Sequence, residues 1–196
     1  MNSTATSLVP SRLSEAEFHQ ARLYIEQTRD GLLGSIRLLT PAQWEFQPAP
    51  ERWSAGQIVA HVIAVQERVM ARLQQGFAEA PAPPPDQDCA AVDSIIITEF
   101  PNRLTKFPSP IPLEGPLDKT AAAGRYVDNC SALTALLTST CGIREHALDS
   151  PPLKAISKGE YSVMDGYQWI LAAAAHAERH TKQILEVIAD ATFPVE

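Results

Sequence analysis

Residues 169–188 read WILAAAAHAERHTKQILEVI. Within them Trp169, Ala173, His176, His180, Ile184 and Val187 recur at steps of three and four, the period of one face of an α-helix. The pattern predicts a last helix over about 162–191, opened by Ser162 with Asp165 three residues on in capping-box position. Two imidazoles lie on that inward stripe. Their spacing of four puts both rings on one side of the helix, about 5–6 Å apart at Cβ. Glu178, two positions from each, turns to another face and is expected as a solvated charge.

A second segment has the same character. Ser54 and Gln57 form a capping box after Trp53, and Ile58, His61, Val62, Val65, Val69 and Leu73 then follow at helical spacing. This predicts a helix over 54–76 with Gly76 as its stop. Ser14 and Glu17 open another helix over 14–40, which Thr40-Pro41 ends or extends by a short turn through Trp44. A further helix is expected over 118–141, with Tyr126, Cys130, Leu133 and Leu137 inward and Gly142 beyond its end.

Between the second and third helices proline dominates. Nine of the sixteen prolines lie from Pro81 to Pro116, so 80–117 is expected as a long irregular connection. Ile95, Ile96 and Ile97 are β-branched and could pass for a strand, but the run is short and bounded by Pro101, so a short helix or irregular packing fits equally well. Pro151, Pro152 and Gly159 mark a loop before the last helix. The expectation is an all-α four-helix bundle forming one domain over 1–196.

Composition narrows the function classes. The chain has 196 residues, 45% apolar and 20% charged, with a net charge of −7. An acidic balance argues against binding a phosphate backbone or an anionic membrane. No apolar run is long enough to span a bilayer. Three scattered cysteines, Cys89, Cys130 and Cys141, fit a reducing compartment, and Met1–Pro10 lacks the pattern of a secretory leader. A cytoplasmic location is therefore expected.

His61, His176 and His180 all fall on core-facing seams. Burying one such ring without a partner costs about 1–3 kcal/mol. A divalent metal ion would satisfy three rings at once, and a bundle interior is a common place for such a site. Three separate core histidines, each bonded to backbone or water, are the competing reading. Among five histidines a pair four apart arises by chance about one time in ten, so spacing alone decides little. His19 and His146 are expected at the surface. Gln57 and Gln183 lie one turn from the seam histidines and read best as ordinary helix-surface amides.

The run Glu51–His61, ERWSAGQIVAH, resembles the W-S-x-x-x-I-x-x-H entry to the second helix of DinB-like proteins. Trp169–Ile188, with His176, Arg179, His180, Gln183 and Ile184, is similar to that family's last helix, H-x-x-R-H-x-x-Q-I. Phe100-Pro101-Asn102-Arg103 and the prolines to Pro116 resemble its irregular connection. The resemblance implies a four-helix bundle holding a divalent metal on His61, His176 and His180, with zinc or nickel first and iron or manganese as further candidates. It implies a metal-dependent hydrolase or thiol-dependent transferase acting on a small molecule, and a homodimer. The alternative is a non-catalytic, stress-related bundle in which the metal is structural or absent.

Overall fold

A computed structural model describes residues 13–104 and 117–195. Prolines 108, 110, 112 and 116 of the expected connection lie outside the described residues. The elements are α1 (Glu15–Ile36), α2 (Pro41–Glu45), α3 (Ala55–Gln74), a 3-10 turn (Phe77–Glu79), α4 (Cys89–Glu99), α5 (Lys119–Ser139), β1 (Ala147–Asp149), α6 (Pro151–Ile156), β2 (Val163–Asp165) and α7 (Gly166–Ile188). Helices α1, α3, α5 and α7 form the bundle. No helix among the described residues is long and apolar enough to cross a membrane.

Side-chain pairs fix the directions. Tyr167 Oη donates to the Glu17 carbonyl and Tyr24 Oη to Glu178, so α1 and α7 run parallel. Arg72 stacks over Trp169 while Trp53 and His61 face His180 and His176, so α3 runs against α7. Lys119 reaches the Leu39 carbonyl just past α1, so α5 starts where α1 ends and descends alongside α3. The order is therefore up, down, down, up. Around the ring α7 adjoins α1 and α3, and α5 adjoins the same two. Such a bundle needs a long return between its parallel neighbours α3 and α5.

Part of that return is α4, which lies inside the stretch expected to be irregular. Asp88 caps it by accepting from Ala91 N–H at 3.0 Å, and Val92 and Ile96 are its buried positions. It climbs α7 from Gln168, bonded to Asp93 and the Cys89 carbonyl, towards Arg179, bonded to the Asn102 carbonyl. Within 80–117 the described prolines, Pro81, Pro83, Pro84, Pro85 and Pro101, lie on its flanks. Pro151 and Pro152, expected in a loop, instead open α6 at its first two positions, where a missing N–H costs nothing, and Ser150 caps it.

The last helix starts later than Ser162 predicts. Val163–Asp165 pairs antiparallel with Ala147–Asp149, which holds the chain extended. Asp165 then becomes the cap and forms a reciprocal box with Gln168 at 2.8 and 3.0 Å. Gly166 follows because a side chain there would strike Ile143 and Phe77, its Cβ falling 2.9–3.0 Å from them. The first helix ends at Ile36, four residues early, because Thr40 and Gln43 form their own capping box on α2. Trp44 of α2 is buried and donates to the Leu117 carbonyl, tying α2 to the start of α5.

The apolar stripe of α7 is wider than one face. Ala172–Ala175 and Ala177 are all buried, because α1, α3 and α4 enclose the first half of the helix. Small side chains let three neighbours approach at once.

At the base of the bundle, where α1 and α7 begin, Arg144 gathers three carboxylates. It meets Glu17 at 2.7 Å, Asp93 at 2.7 Å and Asp165 at 2.9 Å, with its guanidinium 4.0 Å above the Tyr167 ring. Asp165 is fully buried. Replacing Arg144 by Met should cost about 3 kcal/mol at neutral pH by leaving that charge unpaired. The deficit relative to wild type should shrink as pH falls and the orphaned carboxyls take up protons. Urea unfolding at two pH values measures both; a deficit that grows on acidification would contradict this role.

Candidate metal centre

The three seam histidines meet near the opposite end of the bundle. His61 stands in the second turn of α3, and His176 and His180 one turn apart on α7. Their ring centroids lie 5.0 Å (His61–His176), 4.8 Å (His61–His180) and 4.3 Å (His176–His180) apart. One nitrogen from each falls within 4.8 Å of the others. His61 and His180 are 6% exposed and His176 is half-buried. The cluster contains no carboxylate among the described residues. Glu178 lies outside it and pairs with Tyr24 and Lys182 rather than standing alone in solvent.

The donor set fits a cation. His176 Nε2 and His61 Nε2 are 3.1 Å apart. Two nitrogens each about 2.0–2.1 Å from one ion sit about 2.9–3.4 Å apart for angles from right to tetrahedral. Burial holds all three rings neutral, which is the ligating form. It lowers His61 to about 4 and His180 to about 3, and takes His176 well below the ordinary value, with help from its two neighbouring rings. Without an ion, a single Nε2–Nε2 hydrogen bond must serve two rings, and His61 Nδ1 stays buried with no partner. The site carries an unmet demand on the protein side.

Two residues around the rings were not legible as parts of a site. Trp53, which precedes the α3 capping box, lies 5.0 Å from the His61 ring and stacks on His180 at 6.3 Å and 14°. Gln183 is not a plain surface amide: its Oε1 lies 2.7 Å from His180 Nδ1. Gln57 is absorbed by the α3 cap and by Gln47. His19 is exposed, as expected, whereas His146 is half-buried, with Nδ1 2.6 Å from the Ala80 carbonyl and its ring against Phe77. A cleft of about 950 Å³ lies at the base beside Phe18, His19 and Cys141, away from the three histidines.

These shifts make the metal-free protein acid-sensitive. A histidine whose folded pKa is depressed binds fewer protons folded than unfolded, so stability is full above about 6.5 and falls as pH drops towards the folded values. At pH 5, His61 and His180 together should cost up to about 4 kcal/mol, at roughly 1.4 kcal/mol per pH unit each. Urea midpoints of chelator-treated protein at pH 7 and 5 test this. A flat profile would show that the rings are not buried together.

A solved structure with the same fold is YfiT from Bacillus subtilis, described as a probable metal-dependent hydrolase with an unusual four-helix bundle topology. It is 15% identical, with a TM-score of 0.56, over 91% of this chain and 89% of that one. No curated protein matches the chain. The profile of the DinB superfamily matches residues 24–184, a span that holds the whole bundle except the first turns of α1 and the last turn of α7. The chain belongs to the DinB superfamily.

Proposed function

We propose that His61, His176 and His180 hold one divalent metal ion, zinc or nickel before iron or manganese, and that the protein is a metal-dependent hydrolase or thiol-dependent transferase acting on a small molecule. The observation that carries this reading is the convergence of three neutral imidazoles from two helices within 4.8 Å. The description of YfiT as a probable metal-dependent hydrolase supports it by likeness of fold. The same reading includes a homodimer and a cytoplasmic location, both supported by the family likeness and composition alone.

A cation held by three imidazoles keeps open positions for water and substrate, and zinc would lower the pKa of such a water to about 7. The protein's own groups prepare that site. His61 on α3 and the pair on α7 bring the donors from two directions. Gln183 orients His180 through Nδ1. Trp53 covers His61 and His180 and keeps water from their faces. His176 is the half-buried ring, so substrate would approach along its side.

Untagged protein analysed by elemental mass spectrometry should carry about one metal ion per chain after incubation with Zn²⁺ or Ni²⁺. His180→Ala should abolish tight binding, and His19→Ala should leave it intact. Equal loss in both variants, or less than a few tenths of an equivalent in wild type, would end the proposal. If the metal binds and the loaded protein turns over neither ester, amide nor thiol-acceptor substrates while melting higher than the metal-free form, the structural reading takes its place.

A further inference from the structure

We infer that Arg103, held by Glu186, is a positioning residue that fixes the tautomer of His180 through Gln183 and so directs the His180 Nε2 lone pair into the cluster. The inference rests on the metal reading above for its purpose, and on hydrogen-bond chemistry alone for its mechanism.

Four contacts form the relay. Arg103 Nε and Nη2 grip the two oxygens of Glu186 at 3.0 and 2.7 Å, a bidentate pair that sets the plane of the guanidinium. Arg103 Nη1 then donates to Gln183 Oε1 at 3.2 Å. The same Oε1 lies 2.7 Å from His180 Nδ1.

A guanidinium can only donate, so the Gln183 group facing it must be the carbonyl and not the amino end. A carbonyl oxygen can only accept, so His180 Nδ1 must carry the proton. A neutral ring protonated at Nδ1 has a bare Nε2, the atom left to face His61 and His176. Without Arg103, the Gln183 amide is free to turn over and offer N–H to Nδ1, which selects the opposite tautomer and caps Nε2 with a proton.

The placement of Arg103 supports the assignment. It sits in the short segment after α4 that α7 itself holds down. Arg179 donates to the Asn102 carbonyl, and Lys182 reaches the Pro101 carbonyl at 3.5 Å. The Asn102 side chain closes a turn onto Leu104 N–H at 2.9 Å. The Arg103–Glu186 pair is itself partly solvent-exposed, with side chains 28% and 47% accessible. An exposed pair adds little stability, so its value is orientation.

The test reads the tautomer directly. Long-range ¹H–¹⁵N spectra of metal-free, ¹⁵N-labelled protein near pH 7.5 should show His180 protonated at Nδ1. Arg103→Leu should shift it towards a mixture or the Nε2–H form and weaken Zn²⁺ binding about tenfold in chelator competition. Arg103→Lys, another pure donor, should restore the tautomer. Gln183→Leu should lose it even if Arg103→Leu folds poorly. A His180 tautomer unchanged in Arg103→Leu overturns the inference, whatever happens to affinity or melting temperature. If wild-type protein fails to bind Zn²⁺, the metal reading falls, and the tautomer spectra still decide this one.

Discussion

Enclosure of α7 is the constraint on which the other features depend. A helix covered by α1, α3 and α4 leaves no water to answer its polar groups. At Ala172–Ala175 and Ala177 its buried positions shrink to alanine so that three neighbours fit. Most of its buried polar side chains then meet a fixed partner, Trp169 Nε1 being an exception. Asp165 and Gln168 answer each other and Arg144 or Asp93, and Arg179 answers the Asn102 carbonyl. His176 and His180 answer His61 and Gln183. The charge cluster at the base and the imidazoles near the other end are two solutions to the same problem. One is closed among protein groups. The other leaves a nitrogen of His61 without a partner.

The two clusters differ in what they join. Arg144 links the starts of α1, α4 and α7, three elements that all rise from the base. The histidines join α3 to α7, which run in opposite directions. The first arrangement is suited to holding an architecture. The second gathers neutral donors, His61 and His180 buried and His176 half-buried.

Much of this was written in local spacing. The capping boxes at Ser14 and Ser54 mark α1 and α3 because a box needs only four consecutive residues. His61, His176 and His180 could be grouped because each lies on an apolar seam, and the DinB-like motifs joined them. Where the reading fell short, the deciding partner is far along the chain. Ser162 had the spacing of a cap, but pairing with Ala147–Asp149 holds 163–165 extended and passes the cap to Asp165. The helix at Cys89–Glu99 was only one of the open readings for Ile95–Ile97, because its burial depends on α7 and prolines on both sides obscured its extent. Gln183 and Gln57 looked alike in the sequence. Only the fold shows that one faces a ring and the other a cap. Arg144 carried no local sign, since its carboxylates come from positions 17, 93 and 165.

The up-down-down-up order also shapes how the chain acquires its structure. Its most extensive helix pairing joins α1 to α7, the first and last long elements, so the principal contacts are distant in sequence. Bundles that fold quickly do so by zipping neighbouring hairpins, a route this connectivity does not offer. A growing chain that has reached Asp165 has three of its four walls and no centre. Until the final helix has been synthesised their apolar faces can close only on one another through α5, with the sides meant for α7 uncovered, and over that interval the nascent chain is exposed to aggregation.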